Sequence, residues 1–129
     1  MTQVVVTGIG AVTPVGNTVP EMWDAVINGR SGVGPITHFD ASDFATQIAA
    51  EVKDFTPAPY MTRKEARRLD PFVHFAVSAA GQAIDDSGIE TYPDLDRRRV
   101  GVLIGSGVGG MQTMIDQHAI LQAKGAKSI

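Results

Sequence analysis

The chain has 129 residues, 43% of them hydrophobic and 19% charged, which excludes a disordered chain and predicts one globular domain with no internal boundary. A net charge of −3 gives no global pull toward nucleic acid or an anionic membrane, so any basic patch is local. Cysteine is absent, which removes disulfides, thiolate metal sites and cysteine nucleophiles from these residues. No basic region followed by an apolar core leads the chain, and no apolar run approaches the ~20 residues of a membrane span. The expectation is a cytoplasmic protein with no membrane and no nucleic acid among its partners.

Val4-Val5-Val6-Thr7 is a β-branched run that predicts a short strand, buried on both faces of a mostly parallel sheet and ending at Gly8-Ile9-Gly10. Pro14 and Gly16 keep the next residues as loop. Thr18-Val19-Pro20-Glu21 then reads as a helix start, with Thr18 as cap and Glu21 at the capping-box position. Met22, Trp23, Ala25, Val26 and Ile27 supply its apolar face, and Asn28-Gly29 stops it. Between Arg30 and Tyr60 the pattern is weak. Gly32, Gly34 and Pro35 mark a loop, residues 48–52 suit a short strand or ribbon, and Thr56-Pro57-Ala58-Pro59 excludes a regular helix or a central strand.

From Met61 the character changes. Arg63, Lys64, Arg67 and Arg68 crowd together with Glu65 as the one opposing charge, and helical spacing would put Lys64, Arg67 and Arg68 on one face. Asp70-Pro71 opens a helix, with Asp70 as cap and Pro71 at the first helical position, and its apolar residues, from Phe72 to Ile84, cover more than one stripe, so burial on most sides is predicted. Gly88 is its left-handed terminator. A polar link follows. Residues 100–104 predict a second buried strand, then come a glycine turn and a last helix from Met111 to Lys124, closed by Gly125. Met111, Met114, Ile115, His118 and Leu121 share one face of it. Two strands and three helices fall short of the ~5 strands usual in a parallel sheet, so the chain reads as cut short.

Gly105-Ser106-Gly107-Val108-Gly109-Gly110 matches G-x-G-x-x-G between a predicted strand and a helix, the pattern that sets a pyrophosphate on a helix amino terminus. The fingerprint also requires an acidic residue after a following strand, about 20 residues on, and no such strand follows. A glycine turn that packs backbone on backbone, or lines a narrow pocket, satisfies the same pattern. No P-loop is present, and Ser106 is not in a nucleophile elbow. His38, His74 and His118 lack metal-ligand spacing and read as packed or hydrogen-bonded histidines, so no metal site is expected. Asp85-Asp86 reads as a solvated pair. The basic cluster is either a solvated face or a dock for an acidic partner.

Taken together, these stretches resemble a family. Val4-Val5-Val6-Thr7-Gly8-Ile9-Gly10, Thr13-Pro14-Val15-Gly16, His38-Phe39-Asp40, Arg63-Lys64-Glu65-Ala66-Arg67-Arg68-Leu69-Asp70 and Gly101-Val102-Leu103-Ile104-Gly105-Ser106-Gly107-Val108-Gly109-Gly110 occur in the order seen in β-ketoacyl-acyl-carrier-protein synthases of the type II condensing class. The resemblance covers essentially the whole chain and corresponds to the first third of such an enzyme. It implies an α/β, thiolase-like layered αβαβα fold, of which this chain is the first part of the amino-terminal half, assembled as a homodimer. It implies elongation of a fatty acyl chain by decarboxylative Claisen condensation, with acyl-carrier protein and acyl and malonyl thioesters as partners and no cofactor. In the family a cysteine at a helix amino terminus carries the acyl group and two histidines support decarboxylation.

This chain has no cysteine, and none of its histidines sits in that catalytic context, so it is expected to contain no catalytic residue and to be inactive alone. The resemblance carries over Lys64, Arg67 and Arg68 as the carrier-protein dock. It carries over Val108, with Gly107 and Gly109 beside it, as acyl-pocket lining near the dimer contact. Two other readings stay open: a nucleotide-binding α/β module using the turn from Gly105 to Gly110, and a non-catalytic module that docks an acidic protein.

Overall fold

Capping chemistry decides where the helices begin. In the computed structural model, which describes residues 3–128, helix α1 (Val19–Ile27) starts at a complete capping box. Thr18 Oγ1 accepts from the Glu21 backbone N–H at 3.4 Å, while the Glu21 carboxylate accepts from the Thr18 and Asn17 backbones at 3.1 and 2.8 Å. Asn28 ends the helix by donating its backbone N–H back to Asp24 and Val26. Strands β1 (Val33–Pro35) and β2 (Ile48–Ala50) follow. Then come the single-turn helix α2 (Arg63–Ala66), the long helix α3 (Pro71–Ser87) and helix α4 (Met111–Lys124). Both ends of α4 fall where the sequence places them.

The residues divide into two compact units. The first holds residues up to Thr56 together with Ser78–Leu95, and the second holds Pro57–Val77 together with Asp96 onward. In the first unit β1 and β2 form an antiparallel ribbon with Val33 opposite Ala50, Gly34 opposite Ala49 and Pro35 opposite Ile48. The loop expected at Gly34-Pro35 is therefore a strand. Both strands of a two-stranded ribbon are edges, so the missing N–H of proline is tolerated. The stretch 48–52 pairs only to Ala50. At Glu51 the backbone ladder gives way to a side chain, whose carboxylate accepts from the Thr37 backbone at 3.0 Å and the Thr37 hydroxyl at 2.7 Å.

The centre of the first unit is a contact of backbone on helix. Residues 8–11 run along α3 so closely that a Cβ on Gly8 would lie 2.2 Å from the Ala83 carbonyl oxygen, and one on Gly10 would lie 1.9 Å from that of Ala79. Side chains of the same helix face take the intervening backbone donors. Asp86 accepts from Ile9 at 2.9 Å, and Gln82 accepts from Ala11 at 3.2 Å while donating to the Asn17 carbonyl at 2.8 Å. Asp86 is exposed, as its reading as a solvated side chain expects, and in addition anchors the Ile9 backbone. Positions 79, 82, 83 and 86 recur at helical spacing and form one stripe. Residues 73–83 of α3 are half-buried, with Ser78 the one buried among them, while Phe72 and Ile84 are exposed, so the helix is less buried than its broad apolar surface predicts. Gly88, at φ +61°, ends α3 in the left-handed conformation that glycine adopts without penalty.

The two predicted strands are corrected. Residues 4–7 and 100–104 form no ladder among the described residues, and their side chains stand open, with Val4 94% and Leu103 100% exposed. A strand exists through its neighbour's hydrogen bonds, and none of the described residues supplies a neighbour here. The apolar stripe expected on α4 is uncovered, and that on α1 is covered only at Ala25 and in part at Met22. Trp23, Val26 and Ile27 are exposed, as are Met111, Met114 and Ile115. Among the described residues, no helix is long and apolar enough to cross a membrane.

Candidate functional site

Every residue that the sequence assigns to a site lies in the second unit. The basic cluster is built on α2, which a capping box again initiates. Thr62 Oγ1 accepts from the Glu65 backbone N–H at 3.3 Å, and the Glu65 carboxylate accepts from the Thr62 backbone at 2.9 Å and the Thr62 hydroxyl at 2.6 Å. The hydroxyl first, and the backbone N–H second, hold the Glu65 carboxyl below the usual glutamate range. The one acid in the cluster is therefore committed to the cap. Arg63, Lys64, Arg67 and Arg68 are exposed, and among the described residues none of them is held in an ion pair. The helix is shorter than the pattern predicts. Arg67 is its C-cap at φ −66°, ψ −13°, and Arg68 already belongs to a turn, its N–H bonded to the Glu65 carbonyl at 2.9 Å.

That turn is braced from α3. His74 Nε2 lies 2.9 Å from the Ala66 carbonyl oxygen. A carbonyl only accepts, so Nε2 carries the proton. His74 is a hydrogen-bonded histidine, as the sequence predicts, and the bond ties the end of α2 to α3.

The glycine turn lies at the start of α4. Ser106 Oγ accepts from the Gly109 N–H at 3.1 Å, and Gly109 adopts φ +75°, so the backbone reverses around Val108, which is 64% exposed. A Cβ on Gly105 or Gly107 would meet nothing within 4 Å. Gly110 is the N-cap of α4 and has no side chain to cap with. Asp70 stands there instead. Its Oδ1 accepts from Thr113 Oγ1 at 2.8 Å, and a Cβ on Gly110 would lie 2.0 Å from its Oδ2. A carboxylate beside the amino-terminal end of α4 repels a second anion there. This geometry disfavours the nucleotide reading.

Five residues of this surface, Thr62, Glu65, His74, Asp70 and Thr113, escaped the site assignment. Thr62 and Glu65 carry a legible T-x-x-E signal, and His74 lies eight residues from its partner. The bond between Asp70 and Thr113 spans 43 positions and leaves no local trace in the sequence. A separate cavity of about 490 Å³ lies in the first unit, lined by Thr13, Asn17, Glu21, Arg30, Lys53 and Asp54 among others. None of the sequence-assigned residues faces it. Its charges are already engaged in part, Arg30 with Asp24 and Lys53 Nζ with the Gly32 carbonyl. Among the described residues no cluster of three or more His, Asp or Glu is placed to hold a metal ion.

Comparison with known proteins gives a consistent result. The family model for β-ketoacyl synthase, N-terminal domain, matches residues 1–128. A 3-oxoacyl-acyl-carrier-protein synthase 2 of Synechocystis sp. is 50% identical over 123 residues, covering 95% of this chain and 29% of the relative. The enzyme of the same name from Coxiella burnetii is 50% identical over 127 residues, covering 98% and 30%. The chain thus spans under a third of the length of these curated relatives. Among solved structures, the ishigamide ketosynthase/chain length factor superposes with a TM-score of 0.72 at 29% identity, over 94% of this chain and 30% of that one. A chain in the structure of a type II PKS acyl-carrier protein in complex with its ketosynthase bound to the hexaketide gives 0.71 at 27% identity, over 97% and 32%. The fold is the amino-terminal portion of the thiolase-like layered α/β arrangement found in these ketosynthases.

Proposed function

This chain belongs to the β-ketoacyl synthase family, and we propose that it supplies the amino-terminal part of a 3-oxoacyl-acyl-carrier-protein synthase that elongates fatty acyl chains. The condensation joins an acyl thioester to malonyl-carrier protein. Loss of CO2 leaves a carbanion, which attacks the acyl carbonyl; the new C–C bond forms as the C–S bond breaks and the thiolate departs. With no cysteine in these residues, the acyl-carrying step belongs to a segment outside them. The part we assign to this chain is recognition. Lys64, Arg67 and Arg68 dock the acidic carrier protein, and Val108, with Gly107 and Gly109, lines the acyl pocket near a homodimer contact. The whole acts in the cytoplasm, with this chain as the amino-terminal part of its ketoacyl-synthase domain.

The observation that carries the docking assignment is the fate of Glu65. An acid positioned to neutralise the cluster is turned away into the Thr62 cap, leaving four exposed cations without an ion-pair partner among the described residues. Uncompensated surface charge steers an oppositely charged partner and loses its effect with salt. The test is titration of the complete enzyme with acyl-carrier protein at several ionic strengths. The assignment requires affinity that falls with salt and falls again on Lys64→Glu. Binding that ignores both would end it.

A further inference from the structure

Asp70 joins the basic turn to the glycine turn, and its geometry supports a role in selecting the acyl chain. Its backbone is fixed, because its carbonyl accepts from Val73 at 3.0 Å and from His74 at 3.4 Å at the start of α3. Its carboxylate is fixed by Thr113 at 2.8 Å and is seated against Gly110, where any side chain would collide with it. On the other side of Val108, Ser106 Oγ holds the Gly109 N–H at 3.1 Å. Phe72, two residues after Asp70, lies against Gly109, its Cζ 3.9 Å from where a Cβ would be. Val108 therefore sits on a short loop whose carboxyl-terminal end is held by Asp70 through Thr113. Neighbouring glycines add no side-chain packing of their own. Without the clamp, a loop containing Gly105, Gly107, Gly109 and Gly110 has the backbone freedom to move Val108.

We propose that Asp70 is a positioning residue for acyl-chain selection: through Thr113 and Gly110 it fixes the glycine turn and hence the place of Val108. The proposal rests on the reading of Val108 as acyl-pocket lining. Asp70 acts through the groups it holds, Thr113 and Gly110. The same residue lies two positions beyond Arg68, so the clamp sits directly after the docking turn in the chain.

The test is the ratio of kcat/KM for a long over a short acyl thioester, measured with the complete enzyme. Asp70→Ala is expected to change that ratio by about fivefold or more, and Asp70→Asn, which keeps the acceptor, to restore most of it. Thr113→Val removes the donor without touching the start of α3 and is expected to shift the ratio the same way, which keeps the test decisive if Asp70→Ala does not fold. A residue that merely stabilises the fold would lower kcat/KM for all chain lengths together and leave the ratio where it was. Val108→Phe, run in parallel, separates the two claims. If it moves the ratio while Asp70→Ala and Thr113→Val do not, Asp70 does not position the turn. If Val108→Phe leaves the ratio unmoved, the pocket reading fails and takes this proposal with it.

Discussion

Gly10→Ala tests the contact on which the first unit is built. The added Cβ would start 1.9 Å from the Ala79 carbonyl oxygen and 2.8 Å from the Ala83 nitrogen, both in the middle of α3. Neither atom belongs to a side chain that can swing aside. The 1.9 Å approach must open to at least 3.4 Å, a displacement of about 1.5 Å between residues 8–11 and the helix. That movement stretches the bonds from Ile9 to Asp86, now 2.9 Å, and from Ala11 to Gln82, now 3.2 Å, beyond useful length. Overpacking costs about 1–3 kcal/mol and each lost hydrogen bond about 1 kcal/mol, so a loss of about 3 kcal/mol or more is expected. Set against a typical total of about 5–15 kcal/mol, this is a severe change. The assay is urea unfolding of the complete enzyme followed by circular dichroism, read as the midpoint at unchanged slope. Gly34→Ala is the control, since a Cβ there meets nothing within 4 Å, and it should stay within about 0.5 kcal/mol of the parent. Equal midpoints for the two variants would refute the close-packing argument.

Charge reversal at Lys64, Arg67 or Arg68 is expected to weaken carrier-protein binding by about tenfold each at low salt and by less at high salt, as measured by titration calorimetry. Val108→Phe should shorten the longest acyl chain accepted, read from the product distribution; an unchanged distribution contradicts the pocket assignment. Thr62→Ala should raise the Glu65 titration toward the usual glutamate range, because the hydroxyl is the largest contributor to its depression. The sign follows from the depressed carboxyl. The Glu65 cap stabilises α2 fully above the ordinary glutamate range and is lost as pH falls through its lowered folded value. Carboxyl carbon shifts followed against pH in both proteins check this, and identical titration curves would show that the Thr62 hydroxyl does not hold Glu65.

What the sequence disclosed tracks how local each signal is. The boundaries of α1, the end of α3 at Gly88 and both ends of α4 rest on residues within a turn of the boundary, and all were legible. The basic cluster was legible for the same reason. Its isolation from acidic neighbours was not, because that depends on which way Glu65 turns. The ribbon of β1 and β2 was half legible, since Gly34 and Pro35 carry loop propensities that a two-stranded edge tolerates. Asp70 shows the limit clearly. The Asp-Pro dipeptide marks the start of α3, but the side-chain cap it predicts is corrected: the Asp70 carboxylate accepts from Thr113, and only its backbone carbonyl serves the first turn of α3. Its side-chain role is written 43 residues away, in a Thr113 that no local rule connects to it.

The two Gly-x-Gly segments sharpen the point, because one pattern serves two physical ends. At Gly8 and Gly10 the absent side chains are a packing requirement, met by the carbonyls of Ala83 and Ala79 at distances no Cβ survives. At Gly105 and Gly107 no described atom competes for the space, so within these residues packing does not demand glycine there. What does constrain that turn is the left-handed Gly109 and the carboxylate seated on Gly110. Gly10→Ala should therefore act on stability wherever it is measured. Substitution at Gly107 should leave the fold intact, and any effect it has should be on what meets the turn from outside these residues. Within the described residues, then, packing demands glycine at Gly8 and Gly10, conformation demands it at Gly109, and neither demands it at Gly107.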